Sequence, residues 1–176
     1  MGRATFDSGY EVAFEDDGLR VATVDNVCIS AWFEEPTLER MRIMDRSYKS
    51  LRHQLVRGGV FVSIAVEGVP RFSAEVRAEA ARQTAATGKR DLVTCHLVLL
   101  RGLTGSAVRA FMSTMVLVGR PAHPTKVFGD PMVASRWIAN LVPRDDGSPW
   151  APDDLNRMMN LTVLRQGRPA PALRRR

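Results

Sequence analysis

The sequence predicts an α/β domain: a mixed, mainly parallel sheet with N-terminal antiparallel strands and flanking helices. Three observations predict it. Residues 60–66 and 92–100 are apolar runs without acid or arginine, the pattern of strands covered on both faces. Segments of helical period separate these runs, and parallel neighbours need such a helix to return the chain. The N-terminal third instead has short extended runs joined by Asp16-Asp17-Gly18 and Asp25-Asn26, residues that tolerate tight turns.

In chain order, residues 10–15, 19–24 and 27–33 read as strands, the third alternating Val27, Ile29 and Ala31 against Cys28, Ser30 and Trp32. Pro36 occupies an expected first helical position, with Glu34, Glu35 and Glu39 at the positive end of the dipole. Leu38, Met41, Met44, Tyr48, Leu51 and Leu55 step by three or four and form one helix face, which Gly58-Gly59 closes. Ser73 is a natural N-cap for an alanine-rich helix running to about residue 87, with Gly88 at its end. Thr104 or Ser106 is expected to cap a third helix whose inner face is Val108, Phe111, Met112, Met115 and Val116. Residues 125–128 make a short strand. Asp130-Pro131 is a cap followed by an N1 proline, and Met132, Val133, Trp137, Ile138 and Leu141 are expected to form the buried side of that helix.

The domain is thus expected over residues 10–142. Residues 143–176 read as a polar linker, a short amphipathic helix (Leu155, Met158, Met159, Thr162) and a basic tail. That helix either docks back or reaches a partner.

Composition narrows the function. The chain has 176 residues and a net charge of +6. Six arginines against two aspartates after residue 150 give +4 there, leaving only +2 for the body, where bases and acids interleave as on a solvated helix face. Nucleic acid is therefore not the expected partner, although Arg174-Arg175-Arg176 could touch an acidic one. Cys28 and Cys95 are too few for a disulfide framework or a four-cysteine zinc site. No apolar run approaches the roughly 20 residues of a membrane span, and residues 1–15 lack the apolar core of a secretory signal. A cytoplasmic protein is expected.

No catalytic constellation emerges, and no cofactor or metal site. The segment Gly102-Leu103-Thr104-Gly105-Ser106 opens a helix after a strand, where backbone amides can hold an anion, but it lacks the lysine of a nucleotide loop. His53, His96 and His123 are isolated. Adjacent strand residues point to opposite faces, so Cys95 and His96 cannot pair. The carboxylate pairs Asp16-Asp17, Asp145-Asp146 and Asp153-Asp154 fall in turns and linkers and read as solvated.

The order of elements, and above all Lys126-Val127-Phe128-Gly129-Asp130-Pro131 leading to Ala134 and Trp137-Ile138, resembles the STAS-like (SpoIIAA-like) domain of bacterial anti-sigma-factor antagonists. The resemblance implies a non-enzymatic regulatory module with a protein partner, a homodimer being one form it can take. Phosphoregulated members carry an Asp-Ser pair at a helix start. Ser73 matches the serine, with Arg71 nearby to favour a phosphate, but Phe72 stands where the acid would be. Ser73 is then either a switch or a plain N-cap. The expected partner surface is Arg71, Phe72, Ser73, Thr104 and Ser106, where strand ends meet helix starts. A small apolar-ligand or lipid site lined by Met112, Met115 and Met132 is the alternative, and nucleic-acid contact through the arginine tail is a further one.

Overall fold

The computed structural model describes residues 9–67, 72–86 and 88–164. A single six-stranded sheet runs in chain order: β1 (Glu11–Glu15), β2 (Leu19–Val24), β3 (Val27–Trp32), β4 (Gly59–Ala65), β5 (Asp91–Val98) and β6 (Thr125–Phe128). The first three strands are antiparallel neighbours and β3 to β6 are parallel, so the predicted mixed sheet is the one that forms. Helices α1 (Leu38–Gln54), α2 (Ala74–Ala85) and α3 (Gly102–Gly119) return the chain between parallel strands. Two more, α4 (Pro131–Leu141) and α5 (Pro152–Val163), follow the last strand.

A sheet that advances one strand at a time through right-handed crossovers keeps its returning helices on one face. Two cores result. Val27, Ile29, Val60, Val62, Val93 and Leu97 pack against α4 and α5, all at 1 % exposure or less. On the opposite face Cys28, Trp32, Met41, Met44 and Val76 pack together beneath α1 and α2. That second face is less complete: Phe61, Ser63, Thr94 and His96 stay partly exposed although their strands are central. The sequence expectation of strands covered on both sides therefore holds on one side only.

The turn chemistry acts as read. Asp16 accepts the Gly18 and Leu19 amides, both at 2.7 Å, and Asp25 adopts φ 49° at the β2–β3 turn. A side chain at Gly18 would collide with the Arg40 guanidinium, which bonds Asp16 and Glu34 and ties the hairpin to α1. Asp16 is thus engaged rather than solvated.

Several boundaries differ from expectation. Thr37, not the region of Pro36, caps α1 by accepting the Arg40 amide at 3.2 Å, so the proline lies before the helix. That helix ends at Gln54, and Gly58 (φ 118°) instead turns the chain into β4. Helix α3 begins at Gly102, with Arg101 at the cap position and no side-chain cap, so Thr104 and Ser106 lie inside it. Gly105 permits this early start: a Cβ there would meet the Leu100 carbonyl. Only Gly105 and Val108 of α3 are buried, while Phe111 and Met115 are half exposed. In α4 the buried residues are Ala134, Ser135 and Ile138, and Val133 and Leu141 are exposed. Helix α5 lies against α4, so the small side chains face inward; Ser135 Oγ is 3.9 Å from Met159 Sδ.

Residues 143–150 form a clip rather than a solvated linker. Asn26 Nδ2 donates to the Pro143 carbonyl (2.9 Å), and the Trp150 indole donates to Asn26 Oδ1 (3.1 Å). Arg144 pairs with Asp25 at 2.9 Å and stacks over Trp150. Asp145 accepts the Val56 and Arg57 amides at 3.0 and 2.9 Å, contrary to its expected solvation. The clip delivers α5 to the sheet, where Leu155, Met158, Met159 and Thr162 are buried, resolving its two expected fates in favour of docking.

Buried Arg20 secures the far end of α5. Its Nη1 donates to the carbonyls of Leu161, Thr162 and Leu164, and its Nη2 to Glu15. A cation on the last carbonyls opposes the negative helix end. Arg20→Ala is expected to cost ~2 kcal/mol of unfolding free energy, read as a lower urea midpoint at unchanged slope. Hydrogen exchange should speed first in the last turn of α5; unchanged protection there would contradict this role.

Candidate functional site

The residues expected to form a partner surface separate into two groups. Ser73 caps α2, its hydroxyl accepting the Val76 amide at 3.2 Å, and Phe72 packs partly buried beside the Met41–Met44 core. Arg71 lies outside the described residues, as do the arginines after residue 164. Thr104 and Ser106 are exposed on the first turns of α3, and Ser106 Oγ accepts from Arg109 at 3.1 Å. The structure places Phe72 on a groove shared with α3, but one to two turns beyond Thr104. Phe72, Arg77, Ala107, Val108 and Phe111 line a groove of about 310 Å³ between α2 and α3.

Sequence reasoning missed Arg77 and Ala107 and placed Phe111 in the core. The signal was available: Leu103, Ala107, Phe111, Met115 and Val118 recur at helical spacing as a second apolar stripe beside the inward one. All five are exposed, Leu103 to 91 %. The mean hydropathy of α3 reaches 1.2 over 18 residues, so by length and composition alone it is apolar enough to cross a membrane. Its single charge, Arg109, turns back to the Val98 and Leu100 carbonyls at 3.4 and 3.2 Å. Exposed apolar surface of this extent marks a contact site in soluble proteins.

Beside the groove's helices, β4 and β5 present a polar row on the sheet. Ser63 and His96 are register partners, and the Trp32 indole donates to Ser63 at 3.2 Å. Burial, and then the neighbouring His123, hold the His96 pKa down to about 4, and its Nδ1 is buried without a protein partner. His123 shares a 2.7 Å hydrogen bond with Thr94, and burial lowers its pKa too. Neutral imidazoles of this kind can exchange hydrogen bonds, but neither has a carboxylate hydrogen-bonded to it among the described residues.

Both thiols are buried and pushed up to about 12 by desolvation, so neither is an activated nucleophile at neutral pH. Cys95 faces the α4–α5 side and His96 the other, as strand alternation requires. Cys28 shares the His96 face but lies in register with Phe61 and Thr94, one row away. Among the described residues no three His, Cys, Asp or Glu side chains gather as metal ligands. A second concavity of about 580 Å³ lies between the β1 edge and α1, lined by residues including Glu11, Thr23, Arg46 and Gln54. Met112, Met115 and Met132 line neither concavity. No family model, curated protein or solved structure matches the chain.

Proposed function

We propose that the chain is a non-enzymatic protein-interaction or regulatory module of STAS-like type, working through its α2–α3 side. The observation that carries this reading is the exposed apolar stripe of α3 opening into the groove beneath Phe72. The element order adds support, since a strand hairpin followed by alternating helices and parallel strands is the order on which the resemblance rests. Ser73 contributes as a cap that sets the start of α2 and thereby the position of Phe72.

A photoreactive benzoylphenylalanine placed at Phe111 of the full chain, in its source cells, tests the reading. The expected result is one discrete protein adduct at this position that is missing when the probe sits at Asn160 on α5, an exposed control site. No adduct at position 111, or the same adducts at both, would overturn it.

A further inference from the structure

We infer that the groove between α2 and α3 receives an acidic amphipathic helix of a partner protein. This rests on the protein-interaction reading above and adds the partner's chemistry.

The apolar part of the surface has the form of a helix receptor. Leu103, Ala107, Phe111, Met115 and Val118 run the length of α3 at three- and four-residue spacing, and Phe72 stands across from Ala107 and Phe111. A partner helix laid along this line buries its own i, i+3, i+4 anchors against it. A concavity between two helices takes a ridge better than it takes a plane.

Charge selects the partner. Residues 92–129 contain no aspartate or glutamate, yet carry Arg101, Arg109, Arg120 and Lys126. Arg101 and Arg120 mark the two ends of α3, and both are exposed. Arg77 supplies an exposed guanidinium on the groove wall. None of these three joins an ion pair among the described residues. The apolar stripe is therefore framed by cations that have no ion-pair partner among the described residues. A second copy of α3 in the groove would bring arginine onto arginine in either direction, whereas carboxylates on the polar flanks of a partner helix meet Arg77 and the two end arginines. Rim charges of this kind govern encounter rate and salt dependence while the apolar anchors hold the complex.

Fluorescence anisotropy of the full chain with two synthetic helical peptides tests the inference. Both peptides carry one leucine–phenylalanine stripe; the polar positions are glutamate in one and lysine in the other. The glutamate peptide is expected to bind about 10-fold tighter or better, with the preference shrinking in high salt. Arg77→Glu should remove most of that preference, and Phe111→Asp should abolish binding, each at unchanged melting temperature. Equal binding, a preference for the lysine peptide, or no binding to either overturns the inference. So does stronger retention on phosphatidylglycerol vesicles than on the glutamate peptide, or a dimer in solution that Phe111→Asp dissociates. The Phe111 photo-adduct keeps the two proposals apart: an adduct on a partner segment without acidic residues leaves the protein-interaction reading standing and removes this one.

Discussion

Asn26→Ala is expected to lower the unfolding free energy by about 3 kcal/mol, although the residue lies in a turn. Its amide serves two partners 117 and 124 residues away, the Pro143 carbonyl and the Trp150 indole. Asn26 is completely buried and Trp150 is 4 % exposed. Removing the amide leaves a buried indole donor and a partly buried carbonyl without partners, at ~1–3 kcal/mol for the buried one and less for the other. For a domain of this size the loss corresponds to a drop of about 6–12 °C in Tm. Trp150→Phe removes the indole N–H together with part of a buried ring, and because both singles break the same hydrogen bond the cost of the double variant should fall clearly below the sum of the singles. Strict additivity, or a cost for Asn26→Ala below about 1 kcal/mol, would show that the clip does not hold the C-terminal segment.

The clip also marks where sequence reading stops. Asp16-Asp17-Gly18, Ser73 and Asp130-Pro131 were legible as turn and caps because each makes hydrogen bonds within three residues of itself, and Asp25-Asn26 was legible as a turn but not as the partner of residues 143–150. The parallel strands were legible because their apolar runs alternate with segments of helical period, although only one face of the sheet is fully covered. Residues 143–150 were not, because Pro, Gly, Asp and Ser have the same composition whether they trail into solvent or bond to a distant turn. Helix faces failed for a related reason. The apolar residues of α4 outnumber those that fit beneath it, and the docking of α5 decides that Ala134 and Ser135 turn inward. In α3 apolar residues occur on two adjoining faces, and the sequence does not say which one the short β6 covers. Of the candidate site, the sequence located the neighbourhood of Phe72 and Ser73. It could not place Phe72 and Phe111 on one groove, since that depends on how far α3 slides along the sheet edge.

The two faces of the sheet therefore have different physical characters. The α4–α5 face is closed and mostly apolar, its buried polar groups being Arg20, Asn26, Ser135 and Thr162. The α1–α3 face holds Ser30, Ser63, Thr94 and His96, and its covering helix α3 is docked by little more than Gly105 and Val108. Interaction surfaces tend to lie in the least tightly held parts of a fold, and this asymmetry places the adaptable part of the molecule at α3.

Stability is accordingly expected to fall between pH 6.5 and pH 4, before most carboxylates titrate, by about 2 kcal/mol. His96 has its pKa held down to about 4 in the folded chain, against an ordinary value of 6.5. In that window the unfolded chain binds a proton that the folded chain refuses, so protonation favours unfolding. The stabilisation from the neutral ring is complete above pH 6.5 and is lost as pH falls through the window to the folded pKa. A shift of this size sets a ceiling of ~3 kcal/mol at 1.36 kcal/mol per unit; residual solvent contact of the ring brings the expectation lower. His123 is shifted in the same direction and steepens the same limb. Below pH 4 a separate loss begins, as Asp16, whose pKa is lowered by Arg40 and two backbone amides against a burial effect that opposes them, takes up its proton. His96→Leu removes the titrating ring and its orphaned Nδ1 together, so its urea midpoint should decline clearly less from pH 6.5 to pH 4.5 than the parent's, the remaining slope being that of His123. Parallel declines in the two proteins would mean that His96 is solvated on the sheet face. The gap between α2 and α3 would then already be open to water down to the strands.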